Sequence, residues 1–262
     1  MNILLTGYKG FIGSNMLNAL KNEHTVYTYE WGERFPYSLS GLDWVLHIGA
    51  ISYTTEQDVD KLMAQNYEFS VELFEKCKKE KVNLQYSSSA SVYGLESDFK
   101  ETSKCQPKNG YAWSKYLFDR YVRMAEPSVN IVQGFRYFNV YGPNEDHKGK
   151  QASPYHQFRK QAKETGVIKL FEGSEDFNRD FVPVETVIDI HKKFLNIPKS
   201  GIFNLGTGKT KSFLDVAKEI AAEYNAEIKY IPMPEILKDS YQKYTCADLT
   251  LLNEVLCHHS KN

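Results

Sequence analysis

The sequence predicts an α/β fold: a doubly wound, mainly parallel sheet followed by a smaller region. Three observations carry this expectation. Short apolar runs alternate with helix-length amphipathic segments up to Gly142-Pro143. A glycine-rich turn joins the first run to the first helix. After Gly142-Pro143 the elements become shorter and richer in Gly and Pro.

Taken in order, Ile3-Leu4-Leu5 reads as a buried strand, and Phe11 to Leu20 has helical periodicity. Thr25 to Tyr29, β-branched and aromatic, is a second strand, and Trp44 to Ile48 a third. Val59 to Lys81 is one long amphipathic helix. Leu84 to Ser87 is a fourth strand, ending on the polar pair Ser88-Ser89. Tyr111 to Ala125 is helical and stops before Pro127, since a residue preceding proline avoids the helical region. Ile131 to Arg136 is a fifth strand. Beyond it, Ile168 to Phe171, Phe181 to Val184 and Ile202 to Leu205 are short strand-like elements.

Of the 262 residues, 42% are hydrophobic and 25% charged, with a net charge of -1. That suits a soluble chain with a sizeable core and lacks the basic field that draws nucleic acid. No basic leader with an apolar centre and no run of about 18 apolar residues occurs, so neither export nor a membrane partner is expected, and a cytoplasmic location is. Cys77, Cys105, Cys246 and Cys257 are scattered without a CxxC pair, which reads as free thiols in a reducing compartment. Cys257-His258-His259 has no second ligand cluster, so no metal is expected.

Thr6-Gly7-Tyr8-Lys9-Gly10-Phe11-Ile12-Gly13 follows the first strand and opens the first helix. Glycines at Gly7, Gly10 and Gly13 permit a tight turn, close approach of backbone to a pyrophosphate, and close helix–strand packing. The helix N-terminus then offers free N–H groups to phosphate, so this is a Rossmann-type dinucleotide cradle. Glu30, ending the second strand, is placed to accept the adenosine ribose hydroxyls, which favours NAD. Lys9 and Arg34 lie near enough in sequence to neutralise a 2′-phosphate, which keeps NADP open.

Tyr111 and Lys115, in YAWSK, are four apart and share a helix face, with Cβ atoms about 5–6 Å apart. A tyrosine with a pKa of about 10 becomes a useful base only if positive charge favours its phenolate. Lys115 and an oxidised nicotinamide would supply that charge, and Tyr111 could then exchange a proton with a sugar or alcohol hydroxyl. Ser87-Ser88-Ser89 ends the fourth strand, where ligands of open α/β sheets bind, and offers a hydroxyl to hold the substrate oxygen.

TGYKGFIG, SSSASVYG and YAWSK resemble the extended short-chain dehydrogenase/reductase family of sugar-nucleotide epimerases and dehydratases. The resemblance makes Ser89 the catalytic serine beside Tyr111 and Lys115. Dehydratases of the family commonly carry Asp-Glu after that serine. Ala90-Ser91 stand there instead, which argues against dehydration. FRYFNVYGPNEDHKGKQAS, KLFEGSEDFNRDFVPVETV, GIFNLGTG and SYQKYTCADLT are similar to the ADP-L-glycero-D-manno-heptose 6-epimerases, which make a lipopolysaccharide core precursor, over nearly the whole chain. That likeness implies NADP as cofactor, a nucleotide-sugar substrate, a homo-oligomer, and an exchange of hydride at C6 in which the oxidised carbon presents its other face. It implies Lys148 of HKG as a second acid/base opposite Tyr111. From the residues alone, Lys148 is a solvated loop charge.

By the same resemblance, Phe11, Ile12, Gly49, Ala50, Ile51, Ser52, Asn66, Val140 and Lys148 contact the cofactor, with Tyr111 and Lys115. Asn139, Lys150, Gln157, Phe171, Glu172, Gly173, Ser174, Arg179 and Tyr241 contact the substrate, with Ser89. Residues 1–142 would be the NAD(P)-binding domain, with 179–206 returning to it, and 143–262 mainly the substrate-binding region.

The chain departs from the family in several places. The link between the second and third strands lacks the usual helix and the lysines that meet an NADP phosphate, and Trp31 sits where the family is polar. Lys150 replaces a small residue, and Gln157 stands at a family histidine, beside His156. The family continues past Asn262 through a further helix. Two other readings follow: a 4-epimerase or reductase acting on another sugar nucleotide through Ser89, Tyr111 and Lys115, and a dinucleotide-binding protein without catalysis.

Overall fold

Uninterrupted apolar runs such as Ile3-Leu4-Leu5 and Trp44-Val45-Leu46 suit strands covered on both faces, because a parallel sheet carries helices above and below it. In the computed structural model of the chain, all six of these residues are buried, at 2% exposure or less. The structure describes every residue except 37, 97, 126–129, 235–241 and 260–262.

The first half runs β1 (Asn2–Thr6), α1 (Phe11–Leu20), β2 (Thr25–Tyr29), β3 (Trp44–His47), α2 (Val59–Leu62), α3 (Phe69–Glu80), β4 (Asn83–Ser89), α4 (Gly110–Met124) and β5 (Val132–Tyr137). The second half runs β6 (Asn139–Tyr141), α5 (Pro154–Thr165), β7 (Val167–Phe171), β8 (Asn178–Arg179), β9 (Phe181–Pro183), α6 (Val184–Phe194) and β10 (Gly201–Leu205). It ends with β11 (Lys211–Ser212), α7 (Phe213–Tyr224), β12 (Glu227–Ile231), β13 (Tyr244–Thr245) and α8 (Thr250–His259).

The main sheet has six strands in the order β10-β5-β4-β3-β1-β2, paired in parallel throughout. This is the doubly wound fold that the sequence predicts. The chain steps outward from β1 to β2, then returns past β1 to β3 and proceeds the other way. The direction of winding therefore reverses between β1 and β3, and the carboxyl ends of those strands frame a crevice suited to a ligand.

One face of the sheet packs on α3 and α4 through Leu4, Val45, Leu73, Phe74, Leu84, Tyr86 and Phe118. The other packs on α1 and α6 through Ile3, Leu5, Met16, Leu20, Leu46 and Ile188. Each such side chain contributes roughly 1.5–3 kcal/mol on leaving water.

The helix expected over Val59 to Lys81 is interrupted by a π-helical turn over Met63–Glu68. The extra residue in that turn accompanies the inward turn of Asn66, whose amide clamps Ile51 by accepting from its N–H and donating to its carbonyl. Among its described residues the β2–β3 link has no helix, as expected. Leu39 anchors it instead, fully buried in the cluster under α3.

After β5, α5, α7 and β7 form a separate apolar cluster around Tyr155, Phe158, Ile168, Leu170, Val216 and Ile220. The fully buried Asp180 ties this region down by accepting hydrogen bonds from Thr207 N and Oγ1, Gly208 N and Ala247 N.

Candidate active site

The turn after β1 has the geometry that its glycines suggest. Gly7 has φ +74°, and a Cβ there would lie 2.3 Å from the Gly49 Cα. A Cβ on Gly13 would lie 1.9 Å from the Gly7 carbonyl oxygen, so α1 approaches β1 closer than any side chain allows. Gly10 is different: its Cβ would meet only the Gly7 oxygen, at 3.4 Å, and it borders the open cavity. As the N-cap of α1 it brings no side chain to the first-turn N–H groups. Those groups and the open space at Gly10 fit a pyrophosphate.

At the end of β2, Glu30 accepts from Lys9 N at 3.1 Å and Trp31 N at 3.3 Å. Lys9 Nζ pairs with Glu33 at 2.8 Å, so its charge is already matched by a carboxylate. Glu30 and Trp31 line one end of a cavity of about 590 Å³ that runs past Gly49, Ala50, Ile51 and Ser52 to Ser89, Tyr111 and Lys115. Phe11, Ile12, Asn139, Val140 and Lys148 line it as well.

The helix carrying Tyr111 starts where Asn109 caps it, its side chain accepting from Ala112 N at 2.8 Å. One turn on, Lys115 is buried, and its Nζ donates to the Ser87 carbonyl at 2.9 Å and to Ser87 Oγ at 3.3 Å. The ammonium is thus fastened to the end of β4. Burial pulls its pKa down to about 8, with Asp119 opposing. Ser89, at the end of β4, accepts from both the N–H and the hydroxyl of Ser91, at 3.2 and 2.9 Å. The residue that replaces a dehydratase acid therefore braces the serine.

Tyr111 is half-buried. Burial pushes its phenol above the ordinary value, and the Ser89 hydroxyl draws it part of the way back. The lowering expected from Lys115 is not found, because its ammonium is directed to Ser87.

Lys148 is not a loose charge. It lies in a 3₁₀ turn over Asp146–Gln151, 19% exposed, with Nζ 4.9 Å from the centre of the Phe11 ring and 3.5 Å from Glu145 Oε2. Glu145 is fully buried and also accepts from Gly142 N, Ser153 N and Ser153 Oγ. One carboxylate thus closes the loop that carries Lys148 to the Phe11 side of the cavity.

Other expected contacts lie elsewhere. Asn66 does not line the cavity; it acts through the loop at Ile51. Lys150 and Gln157 are also outside the lining, and the Gln157 amide is bonded to the carbonyls of Lys150 and Ala152. Phe171, Glu172, Gly173 and Ser174 form a turn after β7 that does not line the cavity, with the Glu172 N–H bonded to Ile231 and the Ser174 hydroxyl to Phe171. Arg179 is 7% exposed and directs its guanidinium to the carbonyls of Asn178 and Gln242. Tyr241 lies outside the described residues. Conversely, Tyr137 lines the cavity and was not expected to; nothing in its local sequence separates it from a core tyrosine.

The depressed pKa of Lys115 has a testable consequence. An unfolded lysine titrates near 10.4, so between about pH 8 and 10 the unfolded chain holds more protons than the folded one. Folding stability contributed at this site therefore rises with pH through that window. The unfolding free energy of the wild type relative to Lys115→Met is expected to climb by roughly 2–3 kcal/mol from about pH 7.5 to 10.5. Denaturant titrations at both ends check this, and a constant difference would rule it out.

A model of the NAD dependent epimerase/dehydratase family matches residues 3–206. Among solved structures, the chain is similar to the ADP-L-glycero-D-manno-heptose-6-epimerase of Helicobacter pylori, at 29% identity and a TM-score of 0.86, over 98% of this chain and 90% of that one. It shares its fold with the UDP-N-acetylglucosamine 4-epimerase of Methanobrevibacter ruminantium, at 22% identity and a TM-score of 0.87, over 97% and 91% of the two chains. It shares it too with the UDP-glucose 4-epimerase of Thermus thermophilus in complex with NAD, at 24% identity and a TM-score of 0.81, over 99% and 93%.

Proposed function

The chain belongs to the NAD dependent epimerase/dehydratase family, and from that premise we propose that it is a sugar-nucleotide epimerase inverting C6 of ADP-D-glycero-D-manno-heptose by transient oxidation and re-reduction. The observation that carries this reading is the presence of two proton-transfer groups, Tyr111 and Lys148, from different elements around one cavity. The heptose epimerase from Helicobacter pylori, aligned over 98% of this chain, supports the choice of sugar.

The cofactor is held by Gly7, Gly10, Phe11, Ile12 and Gly13, by Glu30, and by the loop from Gly49 to Ser52. When bound, the nicotinamide accepts a hydride from the sugar and returns it. Ser89 holds the C6 oxygen while Tyr111 takes its proton, leaving a ketone at C6. After the ketone turns its other face, Lys148 protonates the oxygen as the hydride comes back. Inversion is easiest with a proton-transfer group on each side of the sugar, and Tyr111 and Lys148 supply the two. Glu30, with Lys9 already paired to Glu33, favours NAD, and Arg34 keeps NADP as the other cofactor to test.

The placement of Lys150, Gln157 and Arg179 away from the cavity favours a second reading, in which the sugar differs and only Ser89, Tyr111 and Lys115 act. Proton NMR of ADP-D-glycero-D-manno-heptose incubated with the protein and NAD or NADP separates the two. Growth of the L-glycero epimer, slowed at least about 100-fold in Lys148→Ala, is the expected result. Epimer formation untouched by that substitution would remove Lys148 from the mechanism. No epimer with the wild type would remove the heptose.

A further inference from the structure

Beneath the cavity, a chain of buried side chains runs from the end of α6 to Tyr137. Gln133 Nε2 donates to the carbonyls of Phe194, Ile197 and Lys199 at 3.2, 2.9 and 3.2 Å. Carbonyls only accept, so the Gln133 amide can face them one way, with Oε1 turned to Gln85. Gln85 Nε2 donates to that oxygen at 2.9 Å and to the His191 carbonyl at 3.2 Å. This leaves Gln85 Oε1 facing His191 Nδ1 at 2.7 Å, and a carbonyl oxygen there requires that Nδ1 carry the imidazole proton. A second proton on Nε2 would make an imidazolium. Burial opposes it, lowering the pKa of His191 to about 3. Nε2 is therefore a bare acceptor, and the Tyr137 hydroxyl, 2.6 Å away, donates its single proton inward.

Gln85, Gln133 and His191 are fully buried and Tyr137 is 8% exposed, so bulk water does not reset these orientations. With its proton committed, the Tyr137 oxygen offers the cavity lone pairs alone. A ligand meets it only with a donor.

Tyr137 sits in an apolar cluster flanked by Ile12 of α1 and Val140. That is the side of the cavity where the glycine turn opens, whereas Phe171 to Ser174 and Arg179 lie outside the lining. A cofactor held in the glycine turn reaches this side of the cavity, and the N–H donor on its nicotinamide ring is the carboxamide; a sugar hydroxyl beside Tyr111, which neighbours Tyr137, is the competing donor. Resting on the cofactor reading above, we infer that Tyr137 is a dedicated acceptor for the carboxamide N–H of the nicotinamide, with its polarity imposed by Gln133, Gln85 and His191.

Calorimetric binding of three dinucleotides tests this: NAD, the thionicotinamide analogue that keeps the NH₂, and the 3-acetylpyridine analogue that replaces it with a methyl. The wild type is expected to bind the acetylpyridine analogue about fivefold more weakly than the other two, the worth of one neutral hydrogen bond. Tyr137→Phe is expected to bind all three alike. Equal binding of all three by the wild type, or a discrimination that survives in Tyr137→Phe, overturns the inference. If that variant does not fold, the wild-type comparison decides alone. Absence of binding by all three would overturn the cofactor reading and this inference together, whereas undiscriminating binding overturns only this one.

Discussion

Tyr111→Phe is expected to lower turnover by about 10²–10⁴-fold while costing about 1 kcal/mol of stability or less. The substitution removes one hydroxyl and leaves the ring in place on α4. The protein raises this phenol by burial, offset only in part by Ser89. On the function proposed above, the charge of an oxidised nicotinamide would help Tyr111 to ionise. The loss should fall on kcat, with dinucleotide affinity nearly unchanged, and single-turnover formation of reduced nicotinamide should slow by the same factor. A variant that keeps more than about a tenth of the wild-type rate would show that another group carries the proton.

The second large effect concerns stability. Asp119→Asn is expected to destabilise the fold by about 3–5 kcal/mol, a substantial part of the 5–15 kcal/mol typical of a domain. Asp119 is 1% exposed and holds Arg136 Nε at 2.9 Å, while its other oxygen accepts from the Tyr86 hydroxyl at 3.1 Å. Arg136 is fully buried, with its guanidinium 4.9 Å from the centre of the Tyr93 ring and, among the described residues, no hydrogen-bond partner at Nη1 or Nη2. One carboxylate is what balances that charge. Replacing both partners, as in Asp119→Leu with Arg136→Met, should be nearly neutral, because no unpaired charge remains inside. Chemical denaturation of the three proteins checks this. A loss below about 1 kcal/mol in the single variant would mean that the guanidinium finds water. Asp119 also lies one turn beyond Lys115 and opposes the fall in its pKa, so the single variant should lower that pKa further.

The parts of the fold and site legible in the sequence are those set by local geometry. Gly7 and Gly13 are readable because a side chain at either would collide with backbone where helix and strands approach so closely. Tyr111 and Lys115 are readable because helical period places them on one face, and the serines 87–89 because a polar run ends a buried strand, with Ser89 singled out by the family resemblance. The strands of the main sheet follow from apolar runs, which need only their neighbours to be recognised. What was not legible depends on distant chain. The π-helical turn at Met63–Glu68 answers to the loop at Ile51. Arg179 is a substrate contact by resemblance, yet its guanidinium is engaged by backbone carbonyls, one of them at Gln242. Glu145 reads as one of several loop charges, and only burial with Ser153 and Gly142 reveals its hold on Lys148. The direction of the Tyr137 hydroxyl is set by Gln85, Gln133 and His191, which no window of sequence contains together.

The place of β10 has a consequence for how the chain is made. Its five residues complete the sheet beside β5, all six of whose residues are buried, and Ser200 bonds the first N–H of that strand. On the ribosome, β5 emerges long before β10. During that interval a strand destined for burial presents open N–H and C=O groups along one edge, a template for wrong pairing. The half-made protein therefore depends on shelter until Leu205 has cleared the exit tunnel, and the last strand to be translated into the sheet acts as its seal against aggregation.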